Sequence, residues 1–400
     1  MEQKKLIAAG AAGVVLLLGL LVHAGAVIQP EEDSVITIYG DKPSEAPAVN
    51  ATMFGMDVTD QVTVENNTDY SKVGTYQITY RYRLFGIPLR TVQIPSVVAD
   101  MDAPVIDLED GAIVFLRSGE EWSDPSYKIS DNYDAPEDIT VTMEKTGETA
   151  EKGVYPAELK ACDTSGNCSV RTISIVVGDA AEDDFAPGHF DLEKLDTSHY
   201  LLEPGIEPGP ESMFRELYWI GDSNILNLGE YGGIPADRVI ARYAMGPATF
   251  DLPIHYGNVQ QTYSTIDLVK SIQPKRVILM MGEAESGSGD PLKLAEEYGK
   301  CLDELKKASP STEIIVSAIL PIRKGSTEAA ASQEQINRVN YCLLQMCREK
   351  KIPMLCADSW LKDESGYGIP EYYLEDGFHL NAASFPAYTD YVKYCLKEKS

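Results

Sequence analysis

At 400 residues, with 44% hydrophobic and 24% charged, the chain is long enough for several domains and too apolar to be disordered. Its formal net charge of -28 leaves no basic excess to neutralise phosphates, which argues against nucleic acid or anionic lipid as a partner of the folded part. A well-solvated acidic surface explains this balance better than a specific cation-binding role.

Lys4 and Lys5 precede an uncharged run from Leu6 to Ile28, long enough to cross a bilayer as a helix. Basic residues before it and Glu31, Glu32 and Asp33 after it favour a cytoplasmic N-terminus and an exported body. Residues 1–30 are therefore expected to be a cytoplasmic tip and single-pass membrane anchor. The alternative is a signal peptide cut near Ala24-Gly25-Ala26, which would free a secreted body. The run is longer than a usual signal core, and this favours the anchor.

Of seven cysteines, Cys162 and Cys168 flank the turn sequence "DTSGN" and are expected to pair across a hairpin. Cys301, Cys342, Cys347, Cys356 and Cys395 show no metal spacing and read as buried, inert thiols.

From Ser34 to about Val177 short strands alternate with turns. "VGTYQITYRYRL" and "RTISIVV" are the strongest β runs. "SKVGTYQITY" (71–80) is echoed by "AEKGVYPAELKA" (150–161), so two units are expected, at 34–100 and 101–178. Each resembles the immunoglobulin-like modules of bacterial surface proteins, in which segments such as "DNYD" and "DTSGN" recur; the resemblance implies two small β-sandwiches. The Asp and Asn residues of those segments admit a calcium site, but turn formation alone explains them.

Residues 179–212 are acidic, contain Pro187, Pro204, Pro208 and Pro210, and lack a sustained period, which reads as a linker. From 213 to 400 strands and helices alternate: "LYWIGD", "RVIARYAMG", "RVILMMG", "TEIIVSAILPI" and "PMLCAD" are strands, with helical patterns between and after them. Such alternation predicts a parallel sheet covered on both faces, with ligands at the carboxyl ends of its strands.

Gly221-Asp222-Ser223 lies at one such end. A serine becomes a nucleophile when an imidazole oriented by a carboxylate takes its proton. His23 falls in the apolar run, His189 and His199 in the linker, and His255 after the second strand. His379 remains, in "LEDGFHLN", with Asp376 one turn before it.

Taken in order, these blocks resemble the SGNH (GDSL-type) hydrolase family. The resemblance implies Ser223 as nucleophile, His379 as base and Asp376 as the acid that orients it. It also implies an oxyanion site built from the backbone N–H groups of Ser223 and Gly246, the latter in "RYAMGPAT". The third block departs from the pattern. Gly282 is present, but Ala284 stands where the family has an oxyanion-binding Asn, and Glu285 follows. Losing one such donor costs about 3–4 kcal/mol in the transition state. Protonated Glu283 or Glu285, or the amide of Asn224, are the candidate stand-ins.

The expected activity is that of a membrane-anchored extracellular serine esterase that removes or transfers acyl groups on cell-wall or surface polysaccharide. The alternative is a catalytically degenerate domain that binds surface glycan or acts as a scaffold. A Ser-His-Asp esterase implies neither a cofactor nor a metal. The expected partners are an acylated polysaccharide or other ester and, through the N-terminal segment, a membrane.

Overall fold

A computed structural model describes residues 25–109, 111–145, 151–256 and 261–396. Among them no helix is long and apolar enough to cross a membrane. Most of the apolar run that ends at Ile28 lies outside the described residues. Its last residues do not: Ala26–Pro30 is a strand, with Ala26 and Ile28 buried, paired antiparallel with Val49–Met53.

The described residues divide into two compact units, one of 25–109, 124–144 and 158–172, the other of 111–123, 145, 151–157, 173–256 and 261–396. In the first, a three-stranded sheet containing Ala26–Pro30 and Val49–Met53 faces a four-stranded one containing Val35–Ile38, Val62–Asn66, Gly74–Leu84 and Ile87–Ala99. Ala26, Ile28, Ala51 and Met53 from one sheet share a core with Val35, Ile78, Tyr80, Tyr82 and Ile94 from the other. Alternate residues of each strand fill this core because strand side chains point to opposite faces in turn.

The internal repeat has a structural counterpart. Tyr76 donates its hydroxyl to the carbonyl of Lys72, and Tyr155 does the same to Glu151, each four residues upstream. Cys162 and Cys168 form the expected disulfide between strands Gly153–Cys162 and Cys168–Gly178. Of the five free cysteines, Cys301, Cys342, Cys347 and Cys356 are buried as expected and Cys395 is only half-buried; burial raises all five thiols above their usual range.

The second unit holds five parallel strands: β1 Leu217–Gly221, β2 Val239–Ala241, β3 Arg276–Met280, β4 Glu313–Ser317 and β5 Met354–Leu355. Their order in the sheet is β2-β1-β3-β4-β5. The main helices are α1 Ser223–Tyr231, α2 Thr265–Ile272, α3 Pro291–Ala308, α4 Gln333–Lys350 and α5 Phe385–Cys395. Ile220, Val277, Leu279, Ile314 and Val316 point into one core, where α2, α3 and α4 supply Leu268, Leu294 and Ile336. Trp219, Ile278, Met280 and Ile315 point into the other, with Ile225 and Leu228 of α1 and Phe385, Tyr388 and Val392 of α5. Two covered faces explain why these strands are continuously apolar.

Residues 179–212, expected to be a linker, pack onto this unit. Phe185, Phe190, Leu192 and Leu201 are buried in the first of its two cores. Arg348 of α4 pairs with Asp179 and Asp196 at 3.2 Å each, and Asn337 donates to the carbonyl of Phe185. The prolines and acids that suggest a linker conceal isolated aromatic anchors, which have no period for a sequence pattern to detect.

Candidate active site

β1 ends at Gly221, where a β-carbon would stand 1.9 Å from the carbonyl oxygen of Met280. Only glycine permits that approach of β1 to β3. Asp222 then caps α1, its Oδ1 accepting the N–H of Asn224 at 3.1 Å. Ser223 is thereby the first helical residue, where a backbone N–H has no intrahelical acceptor and the helix dipole favours negative charge.

His379 approaches from the loop between β5 and α5. Its Nε2 lies 2.7 Å from Ser223 Oγ, and its Nδ1 lies 2.9 Å from Asp376 Oδ2. A carboxylate only accepts, so Nδ1 carries the proton and Nε2 accepts from the serine hydroxyl. The other oxygen of Asp376 accepts the N–H groups of Phe378 and His379, both at 3.0 Å. Burial opposes ionisation of Asp376, but these bonds and the imidazole outweigh it and hold the carboxyl below its usual range. Ser223, His379 and Asp376 are therefore brought together in the order that general-base activation requires.

Asn224, the residue after the serine, holds the two halves of the site together. Its Oδ1 accepts the N–H of Leu380 at 3.0 Å and its Nδ2 donates to the carbonyl of Phe378 at 3.3 Å. Its amide is thus spent on the histidine loop and is not the oxyanion donor that the sequence admits. The loop is fixed from a second side as well, with Arg323 N donating to the carbonyl of Gly377 and Ser326 Oγ to that of Asp376. Motif reasoning overlooks Arg323 and Ser326, because nothing in their local sequence points to residues some fifty positions away.

The oxyanion side is less complete. Gly246 lies after β2, and its N–H donates to Thr249 Oγ1 at 3.1 Å. Gly282 adopts φ +98, with its N–H on the carbonyl of Met245. Ala284 is exposed in the turn that follows and brings no donor. Glu283 and Glu285 point inward, and Glu283 Oε1 and Glu285 Oε2 are buried without a hydrogen-bond partner. The Glu285 carboxyl sits beside Gly246, where a β-carbon would meet it at 1.7 Å.

Burial raises the pKa of both glutamates, most strongly opposed by a backbone N–H in each case. It also pushes Asp222 up to about 7, with Glu283 and Glu285 adding to the rise. Three carboxyls whose ionisation is opposed by burial therefore lie around Ser223.

Fold and site together define a parallel α/β domain with the side-chain geometry of a serine hydrolase. No family model and no curated protein matches the chain. Among solved structures it is similar to a GDSL-like lipase from Bacteroides thetaiotaomicron at 14% identity and TM-score 0.33, over 46% of this chain and 88% of that one. It is also similar to a carbohydrate esterase family 3 protein from Talaromyces cellulolyticus at 16% identity and TM-score 0.32, over 44% and 93%. An acetyl xylan esterase follows at 14% identity and TM-score 0.31, over 44% and 96%.

Proposed function

We propose that this chain is a serine esterase of the SGNH type, acting on acyl groups of surface or cell-wall polysaccharide outside the cytoplasm. The observation that carries the reading is the continuous relay from Ser223 Oγ through His379 to Asp376, with contacts of 2.7 and 2.9 Å. In the reaction His379 Nε2 takes the Ser223 proton as Oγ attacks the ester carbonyl. Asp376 stabilises the imidazolium, which then protonates the departing alcohol. Water, or a sugar hydroxyl in the case of transfer, resolves the acyl-serine by the same route in reverse. The Ser223 N–H at the helix start stabilises the oxyanion, and the Gly246 N–H joins it if Thr249 Oγ1 turns away.

Export is supported by the Cys162–Cys168 disulfide, which belongs to an oxidising compartment, and by the charge pattern around the N-terminal apolar run. The two sandwiches, as immunoglobulin-like modules, serve in this reading as a stalk between membrane and enzyme. Polysaccharide as the substrate rests on that location.

A second reading, a glycan-binding domain without turnover, is favoured by one specific observation: position 284 offers no donor and the nearest carboxyls are acidic. Fluorophosphonate labelling separates the two. The esterase reading expects an adduct on Ser223 that Ser223→Ala abolishes. Labelling that appears only in Ala284→Asn identifies a disarmed site and promotes the binding reading. If neither protein is labelled, Ser223 is no nucleophile.

A further inference from the structure

A second cluster of chemistry-bearing side chains lies in the first unit and has no part in the relay. Asp100 follows the strand Ile87–Ala99, Asp131 and Asp134 lie in the loop after Tyr127–Ser130, and Asp163 opens the turn closed by the disulfide. One carboxylate oxygen from each of the four lies within 4.8 Å of all the others. Oxygens bound to one calcium ion at about 2.3–2.6 Å stand at most roughly 4.6–5.2 Å apart, so the spacing fits a shared ion.

Turn formation accounts for part of this arrangement. Asp131 Oδ1 accepts the N–H groups of Tyr133 and Asp134, Asp134 accepts from Thr164, and Asp163 accepts from Asn167. It does not account for Asp100 Oδ2 or Asp131 Oδ2, which are shielded from water and have no hydrogen-bond partner. Asp100 is only 4% exposed, and among the described residues no lysine or arginine forms an ion pair with any of the four. Buried acceptors left without a donor, at the centre of four like charges, are costly unless a cation joins them.

We propose that Asp100, Asp131, Asp134 and Asp163 form a calcium site that ties the end of the strand Ile87–Ala99 to the loop after Tyr127–Ser130 and to the disulfide turn. The donor set is all oxygen, which excludes soft-metal preferences. Ligands from three separate loops suit the larger, more flexible shell of calcium better than the strict octahedron of magnesium. The disulfide holds the Asp163 loop in place before the ion arrives. Occupancy would hold these three segments against one another, and this role is independent of the esterase reading.

Calorimetry with calcium chloride on the full chain, stripped with EDTA in a neutral detergent, tests the site. One ion per chain is expected, with a dissociation constant in or below the range of about 10⁻⁴–10⁻³ M typical of extracellular modules, together with a rise in melting temperature. The double substitution Asp100→Asn, Asp163→Asn should weaken binding at least about tenfold and remove the melting shift. Its metal-free form should melt no lower than the metal-free wild type, because two like charges are gone; a purely structural role for the carboxyls would lower it. Unchanged binding in the double variant overturns the site, as does the absence of heat and melting shift at calcium of roughly ten times that range. If the variant does not fold, terbium decides on the wild type alone. Tyrosine-sensitised emission displaced by calcium supports the site, and no emission overturns it.

Discussion

The carboxyl group of Glu285 lies against the α-carbon of Gly246, so close that a β-carbon at position 246 would stand 1.7 Å from Oε1. In the proposed mechanism this contact places an acid beside the N–H group of Gly246 that would join in holding the oxyanion. Burial raises Glu285, so the neutral form persists to higher pH than usual, and the charged form appears only above that raised value.

Activity of the wild type is therefore expected to decline as Glu285 ionises and repels the oxyanion, at a pH above the ordinary carboxylate range. Glu285→Gln keeps the shape and removes the charge, so kcat/KM on the high-pH side of that decline should increase about tenfold, within the range of a single oxyanion interaction. A pH profile of p-nitrophenyl acetate hydrolysis for the two proteins checks this, and an unchanged high-pH limb would rule Glu285 out. Gly246→Ala should destabilise the unit by about 1–3 kcal/mol through overpacking, read from the denaturant midpoint.

Asn224 bridges α1 to the histidine loop through Leu380 N and Phe378 O. Asn224→Ala should release that loop, lowering kcat by more than about tenfold while KM changes little, because misplacement of reacting groups costs mainly the chemical step. Stability should fall by about 1–3 kcal/mol, since two buried backbone groups lose their partners. Steady-state kinetics beside a urea melt test both effects, and a normal kcat would show that the loop holds its place without the amide.

Asp222 provides a pH prediction for stability. Its folded pKa of about 7 lies above its ordinary value of 3.8, so the folded state keeps the proton longer than the unfolded one. That stabilisation is fully present below the ordinary value and is lost as pH rises through the folded value. It amounts to at most roughly 4 kcal/mol from Asp222 alone. The urea midpoint of the α/β unit should therefore fall between about pH 4 and pH 7, and Asp222→Asn should flatten the fall. A midpoint that rises over this window would show that Asp222 is ionised at little cost.

The strand Ala26–Pro30 makes a prediction about truncation. A chain beginning at Ser34 lacks the partner of Val49–Met53 and leaves Ala51 and Met53 uncovered. It should lose protection of the first sandwich in hydrogen exchange, whereas a chain beginning at Gly25 should keep it. Equal protection in both would show that the strand is dispensable.

Much of the catalytic unit was legible because its signals are local. Continuous apolar runs, the helical patterns between them and a Gly-Asp-Ser turn each specify structure within a few residues. The Asp376–His379 contact is of the same kind, three residues apart within one turn. The segment 179–212 was not legible, because what orders it is the burial of scattered aromatics and acids against α4, far along the chain.

By itself, then, the sequence pointed to the strand and helix order, to the disulfide pair and to Ser223, Asp376 and His379 as the residues to examine. Backbone propensity and short-range spacing are sufficient for the first two, and the three site residues follow from a resemblance of motif blocks. Only the tertiary structure decided that His379 meets Ser223 across 156 residues, that Asn224 clamps the two loops, that Glu285 rests on Gly246, and that four aspartates converge. Those relations depend on which loops the packed sheets bring together, and no local pattern encodes a contact whose two halves are folded by different parts of the chain.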